Sequence, residues 1–541
     1  MNSIGYWHLQ MCLPDGSGGV KIDSKQMLLE ERPVIGTGEW NKPESNENNK
    51  QCRNFKDSNN GIKIGDIVLV REGRTPIALC KVTSECFTSS QLAEKYININ
   101  YRYVDVLEFY EGDETFPQSR GTLQRLVAKD KDSWNFINKW YNRTVCKMSI
   151  SQIVNLLKQK KQVILQGAPG TGKTYITASV ALSLLGESFE PDNQEEIMRK
   201  YDQLISQKRI FFTTFHQSMD YEDFVEGLKP VVDDGRMTYE LRDGIFKTVC
   251  KFAEHKGSLD ELDDAIEKLK EISSENPIVA KTVSGNEFTF TYRGGITFKA
   301  LPKNGVKEHS VNIEFLKKYH TNNSFKDTTN FAYARGIYNY LIDSYHVKPF
   351  KPQGKDLNYV LIIDEINRGN ISKIFGELIT LLETDKRAGG EHPIKARLTY
   401  SGDEDFSVPS NLYIIGTMNT TDRSVGHIDY AIRRRFAFYT MEANATAISS
   451  YYEMKKIKDG TKEIALNLFN QIKEGIQVAP DFDIKDIMIG HSYFMADNKE
   501  ALRSKVEYEI IPLLLEYEKD GLIVPSEKLQ SLKLSLLRSF N

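Results

Sequence analysis

The sequence predicts a multidomain chain. A small mixed β-barrel over residues 1–143 precedes an α/β P-loop core over 149–440 with a β-containing insertion at about 285–347, and a helical lid covers 441–541. Three observations predict it. A complete phosphate loop at 167–174 lies between an apolar strand and a helix-compatible run. A second apolar strand, at 359–363, ends in the paired acids Asp364 and Glu365. Before residue 143 the apolar residues fall in short β-like runs separated by turn residues, with few helical stretches.

The phosphate loop reads Gly167, Ala168, Pro169, Gly170, Thr171, Gly172, Lys173, Thr174. Its glycines let successive backbone N–H groups turn inward around an anion, and the following helix points its positive end at the same place. Lys173 is placed to reach the β- and γ-phosphates, and the Thr174 hydroxyl is the expected Mg2+ ligand. A flexible turn holding a chance lysine is the bland alternative, which the strand-loop-helix context argues against. The Walker B pattern at 359–365 delivers Asp364 to the magnesium shell and Glu365 to the attacking water. Asn367 and Arg368 follow it directly.

A third apolar strand, 411–416, ends in Thr417, Met418, Asn419, Thr420, Thr421, Asp422 and Arg423. The arrangement resembles that of AAA+ proteins, in which a polar residue at this strand's end orients the hydrolytic water, and the resemblance implies that role for Asn419. Farther on, Arg433, Arg434 and Arg435 cluster at a helix end before Phe436. A neighbouring subunit's γ-phosphate needs such a cation, although basic helix ends are common in general.

Length and composition bound the rest. At 541 residues the chain exceeds a single core, and its 40% apolar and 27% charged residues are those of a globular protein. No apolar run approaches a membrane span and the first residues carry no secretory pattern, so no membrane partner and a cytoplasmic location are expected. Six cysteines without a CxxC pair argue against a zinc or disulfide framework. A net charge of -3 neither supports nor excludes DNA binding, because a balanced total can hide a basic groove.

In order along the chain, β-like runs at 6–11, 63–71, 77–82 and 101–109 build the first domain, with a polar loop at 41–60. A helical period from Gly121 places Trp134, Ile137 and Trp140 on one packing side. The core opens with an amphipathic helix at 150–160. Residues 258–274 read as a charged, solvated helix, and another helix is expected over 374–383.

Residues 62–83, IKIGDIVLVREGRTPIALCKVT, resemble the EVE and YTH-like branch of the PUA superfold. That resemblance implies a domain that flips a modified base into an aromatic pocket, with walls drawn from Trp7, Trp40, Phe87, Tyr101 and Tyr103. Trp40, in a Gly-rich polar stretch, is the favoured member. Most such aromatics in any domain are core residues.

The runs at 364–368, 418–423 and 433–436, with Phe215-His216-Gln217-Ser218 and the stretch 221–227 upstream, resemble the McrB family of AAA+ proteins. The likeness continues into 490–494 and 511–517 of the lid. It implies a GTP-hydrolysing motor of a modification-dependent restriction system. The motor is a homohexamer with nucleotide at its interfaces, acts on modified duplex DNA, and leaves cleavage to a separate McrC-like nuclease. The resemblance also gives Asn419, Asp422 and Arg423 a role near the catalytic water, and makes Arg434, then Arg433, the trans-acting finger. His491 and Arg503 compete for the sensor 2 place. GTP over ATP comes from the resemblance alone, since no NKxD element is present, and ATP stays open. A protein-remodelling ATPase with an adaptor domain, or a nucleotide-gated binding module, fits the same motifs.

Overall fold

The computed structural model describes all residues except 1–3, 14–19, 22, 39–46, 97, 118–120, 127–130, 234–235, 255–259, 306, 323–329, 348–356, 403–404, 423–427 and 541. It divides into two compact units, Met1–Ser149 and Ile150–Asn541.

In the first unit a seven-stranded mixed sheet runs Val34–Thr37, Asn100–Phe109, Thr75–Val82, Ile67–Glu72, Tyr6–Gln10, Leu123–Leu126, with Phe87–Thr88 also paired to Asn100–Phe109. Among the described residues of this sheet, only Tyr6–Gln10 and Ile67–Glu72 pair in parallel. Period-two alternation sends the central strands' side chains into two cores. Trp7, Leu9, Val68 and Val70 enter one, while Tyr6, Ile67 and Leu69 enter the other with Ile137 and Trp140. Gly65 takes a positive φ of 93°. The turn it makes presents the Asp66 carboxylate to the Gly5 N–H at 2.8 Å and the Trp7 indole N–H at 2.8 Å, which fixes the start of the parallel pair.

Three expectations change here. The strand path among the described residues has two free ends, Val34–Thr37 and Leu123–Leu126, where a small mixed β-barrel was expected. Part of the polar loop at 41–60 is a helix, Glu47–Lys56, because Phe55 and Cys52 give it an apolar face to bury. Leu123–Leu126 is a strand rather than helix, since it pairs with Tyr6–Gln10 and buries both leucines. The long helix that follows, Lys131–Lys160, runs without a break through the expected boundary near 143–149.

In the second unit five parallel strands stand in the order Ile210–Thr214, Tyr359–Asp364, Leu412–Asn419, Gln162–Gly167, Ala437–Thr440. The third strand in sequence of the Walker set, Leu412–Asn419, therefore separates the P-loop strand from the Walker B strand. Its seven leading residues are buried, as a parallel strand covered on both faces demands. The helix expected over 374–383 is cut at Gly376, whose φ of 52° ends Ile371–Phe375 and starts a 3-10 segment, Gly376–Leu382.

One buried cation ties this sheet together. Arg387 donates to the carbonyls of Leu382 and Pro409, each at 3.2 Å, to that of Leu412, and to Gln162 Oε1 at 2.7 Å. All four acceptors are neutral, and burial pushes its pKa down to about 10.

Two appendages leave the core. An antiparallel hairpin, Glu226–Asp233 with Arg236–Asp243, follows the short helix Tyr221–Phe224. At its root Glu226 is paired with Lys247 at 2.5 Å inside the protein. The insertion is a four-stranded antiparallel sheet in sequential order over 278–312, covered by Asp260–Glu275, Ile313–Asn322 and Phe331–Tyr345. It starts upstream of the expected 285. The helix read as solvated is half buried: Leu262, Ala265, Ile266 and Leu269, at helical spacing, sit against Phe288, Phe290 and Phe298. The lid is all helical from Ala445–Met454 to Glu527–Arg538, with its own core around Leu468, Phe469, Phe494 and Leu514. Among the described residues no helix is long and apolar enough to cross a membrane.

Truncating the covering helix tests the module's independence. Leu269→Ala should cost the insertion about 2–5 kcal/mol, the usual cost of a buried leucine cavity. Hydrogen exchange should then show faster exchange over 278–312, with the strands Gln162–Gly167 and Leu412–Asn419 unchanged.

Candidate active site

The five-stranded sheet brings the sequence motifs to one edge. Gly167 is in register with Asn419, Ile363 with Gly416, and Thr214 with Asp364, so three strand ends meet at the carboxyl side. Ligands of open parallel sheets bind there.

In the loop itself, Gly170 and Gly172 hold φ of 77° and 79°. Those values turn the backbone into the anion cradle and set Gly172 as the N-cap of the helix Lys173–Leu184. Lys173 is buried and donates to the carbonyls of Gly167 at 3.0 Å and Ala168 at 2.8 Å. Burial pushes its pKa down to about 8, against the pull of Glu365 and Asp364.

Thr174 Oγ1 lies 3.3 Å from Asp364 Oδ1, which also accepts from the Thr417 hydroxyl at 2.5 Å. These hard oxygens fit Mg2+, an ion that takes one or two protein ligands and fills its other positions with phosphate oxygens and water. Glu365 adopts φ 52° and ψ 45°, a left-handed conformation that costs a non-glycine residue of order 1–3 kcal/mol. Its N–H is held by Thr417 Oγ1 at 3.1 Å. Its carboxylate is held from two sides, by the Asn419 amide at 2.6 Å and the Arg368 guanidinium at 3.4 Å. Arg368 also reaches Asp422 at 3.7 Å, and Asn367 reaches the Asn419 carbonyl at 3.4 Å. Glu365 and Arg368 line a cleft of about 520 Å³ together with Phe215, His216, Gln217 and Ser218.

The three arginines divide by environment. Arg435 is buried, donates to Glu383 at 2.8 Å and gives its carbonyl to Gln162 Nε2 at 2.6 Å. Arg433 lies over the Phe438 ring at 5.3 Å. Arg434 is exposed, 3.6 Å from Glu383. Gln162 opens the P-loop strand and Gly167 closes it. The arginine cluster is thus at the far end of the sheet from its own phosphate loop, about 17 Å away at the usual strand rise. It cannot serve the site of its own chain.

The lid closes on the loop through 490–492. Gly490 N–H donates to the Pro169 carbonyl at 3.1 Å and Ser492 N–H to that of Gly170 at 3.1 Å. A side chain on Gly490 would meet the backbone of Gly170 at 2.1 Å, so only glycine permits this approach. Burial pushes His491 down to about 4, which favours its neutral form. Arg503 is an exposed residue of the helix Lys499–Lys505.

In the first unit the aromatic set separates. Trp7 and Tyr101 are core residues: the Trp7 indole serves Asp66 and the Tyr101 hydroxyl serves the Asn98 carbonyl, and neither ring has a face open to a base. Phe87 and Tyr103 are stacked at 4.5 Å and half-buried, with the Arg32 guanidinium 3.5 Å over Tyr103. Trp40 and Arg423 lie outside the described residues.

Comparison with known proteins finds similarity in the core and in the lid. The McrB alpha-helical lid domain profile matches residues 466–521, and that of the AAA domain (dynein-related subfamily) matches 308–436. Over 380 residues the chain is 28% identical to the Type IV methyl-directed restriction enzyme EcoKMcrB subunit of Escherichia coli (strain K12), covering 68% of this chain and 56% of that protein. The chain is similar to the McrB family in both its core and its lid. A shorter match, 34% over 125 residues, is to the Type II restriction enzyme BsuMI component YdiS of Bacillus subtilis (strain 168), covering 21% of this chain and 36% of that one. The chain therefore spans about half the length of the first relative and about a third of the second.

The two matched profiles mark an α/β AAA+ core with a helical lid. Thr417, Gln162 and Arg387 are site-building residues that the motif reading passed over. For Thr417 the signal was present, a hydroxyl closing an apolar strand. Nothing local marks Gln162 or Arg387, which act across more than two hundred positions of sequence.

The depressed Lys173 gives a measurable sign. Above pH 8 the side chain is largely neutral, and phosphate seated in the loop restores its charge by taking up a proton. Calorimetry of nucleotide binding in buffers of different ionisation enthalpy should show almost no uptake at pH 6.5 and about half a proton or more near pH 8.5. Affinity should weaken correspondingly as pH rises through 8.

Proposed function

We propose that this McrB-like chain is the GTP-hydrolysing and DNA-recognition subunit of a modification-dependent restriction system, working as a homohexamer with a separate McrC-like nuclease. The observation that carries the proposal is the Glu365–Asn419 contact at 2.6 Å, formed where the P-loop, Walker B and intervening strands end together.

In this reading the loop N–H groups and Lys173 hold the β- and γ-phosphates. Thr174 and Asp364 would hold Mg2+, which neutralises charge on the phosphate oxygens. Glu365 accepts the proton of the attacking water. Asn419 orients that water, Arg368 with Asp422 holds the signature loop against Glu365, and the family resemblance adds Arg423 to the set near the water. Arg434 of an adjoining subunit supplies the cation for the transferred phosphate, consistent with its exposure at the opposite end of the sheet. Arg433 flanks it. GTP over ATP rests on the family resemblance. The first unit, whose residues 62–83 resemble the EVE branch in sequence, reads the modified base. Phe87 and Tyr103 with Arg32 are its best-supported platform, because a flipped base needs flat faces and a cation beside them.

Two measurements test this. Glu365→Gln should bind nucleotide as the parent does and lose turnover by about 10²–10⁴-fold, with GTP outcompeting ATP as substrate of the parent chain. Faster ATP turnover removes the guanine assignment. The full-length chain should also bind methylated duplex DNA more tightly than plain duplex of the same sequence. Equal binding favours the protein-remodelling ATPase instead.

A further inference from the structure

Three consecutive residues, the last of the strand Leu412–Asn419 and the two after it, bond four different partners. Asn419 holds the Glu365 carboxylate at 2.6 Å. Thr420 donates its N–H to the Gly167 carbonyl of the phosphate loop at 3.1 Å and its hydroxyl to the Asp486 carbonyl of the lid at 2.6 Å. Thr421 accepts from the Tyr517 hydroxyl of the lid at 3.2 Å, in a contact where both residues are buried.

We propose that Thr420 and Thr421 are positioning residues that report the state of the γ-phosphate subsite to the lid. The inference rests on the nucleotide-hydrolysis reading above and goes beyond it by naming the route to the lid.

The lid side chain nearest the loop by sequence motif is His491, whose neutral form burial favours, and Arg503 is exposed. The lid is joined to the catalytic edge by backbone contacts at 490–492 and by the two threonines. Only the threonines continue directly into Asn419. The Asn419 carbonyl is itself tethered by Asn367 at 3.4 Å, so the segment 419–421 is held at every residue and has little slack. A shift of Asn419 as phosphate arrives or leaves is then passed along the backbone to two lid contacts. Asp486 adds a second sign of an adaptable junction: its Oδ1 is buried without a partner, although its carbonyl is bonded to Thr420. A lid that moves relative to this loop can satisfy that oxygen.

Thr421→Val, Tyr517→Phe and the double variant test the route in the full-length chain. Each keeps side-chain volume while removing the hydroxyl contact. Hydrogen exchange over Thr461–Gly475 and Ile511–Lys519 is followed with and without Mg2+ and a slowly hydrolysed GTP analogue, alongside the analogue's Kd.

The parent should gain lid protection on binding the analogue. Each single variant should lose most of that gain, about 5-fold or more, the lower end of a typical coupling between sites, with Kd changed less than about threefold. The double should be no worse than either single, and Thr421→Ser should restore the response. Matching exchange without nucleotide establishes that the variants are folded; if Thr421→Val does not fold, Tyr517→Phe carries the test. A full nucleotide-dependent response in the variants, or losses that simply add in the double, overturns the proposal. A parent chain that binds no nucleotide overturns the hydrolysis reading itself, which separates the two failures.

Discussion

The site depends on where one strand is inserted. Because Leu412–Asn419 lies between the P-loop and Walker B strands, its last residue is in register with Gly167 and one strand from Glu365. A strand rises about 3.3 Å per residue, so a one-residue slip would carry Asn419 past the carboxylate and turn its side chain to the opposite face. Register is protected by burial on both faces of the sheet and by Arg387, which binds carbonyls that precede and begin this strand. A buried guanidinium surrounded by neutral acceptors is stable only while all of them stay in place, so it penalises any rearrangement of the segments it joins. The same network reaches Gln162 and, through its amide, the carbonyl of Arg435. One set of hydrogen bonds thus sets the position of the phosphate loop's strand and the root of the arginine cluster at the other end.

Chemistry carried by contiguous residues was legible in the sequence. The glycines at 167, 170 and 172, Lys173, the pair Asp364 and Glu365, and Asn419 each sit at the junction of an apolar run and a polar residue, and that local contrast is what a reader sees. Helical spacing could also be read, yet charge obscured it. Residues Leu262, Ala265, Ile266 and Leu269 form a clean apolar stripe, but the acids and lysines between them suggested solvent on all sides. The stripe needed a partner to be meaningful, and that partner, the sheet over 278–312, arrives later in the chain. The hairpin Glu226–Asp243 was hidden for another reason. Its strands bury little, so alternation is weak, and the Asp-Asp-Gly run at 233–235 was the single turn signal between them.

Aromatic residues were the hardest to sort. Trp7 and Phe87 look alike in a one-dimensional reading, and only pairing decides between them. The indole of Trp7 satisfies Asp66, whereas Phe87 joins a short edge strand and lies against Tyr103. The arginine run shows the same limit. Three identical neighbours become a buried tether, a ring-stacked cation and an exposed group because Glu383, Phe438 and solvent meet them in turn.

The left-handed backbone at Glu365 has a consequence for anyone altering this protein. Glycine or asparagine would relax that position, so a selection for heat resistance or expression yield alone is expected to favour them. Such variants would emerge as robust, soluble and inert. Libraries built on this scaffold should hold residue 365 fixed, and a natural sequence keeping an acid there is displaying selection for turnover rather than for durability.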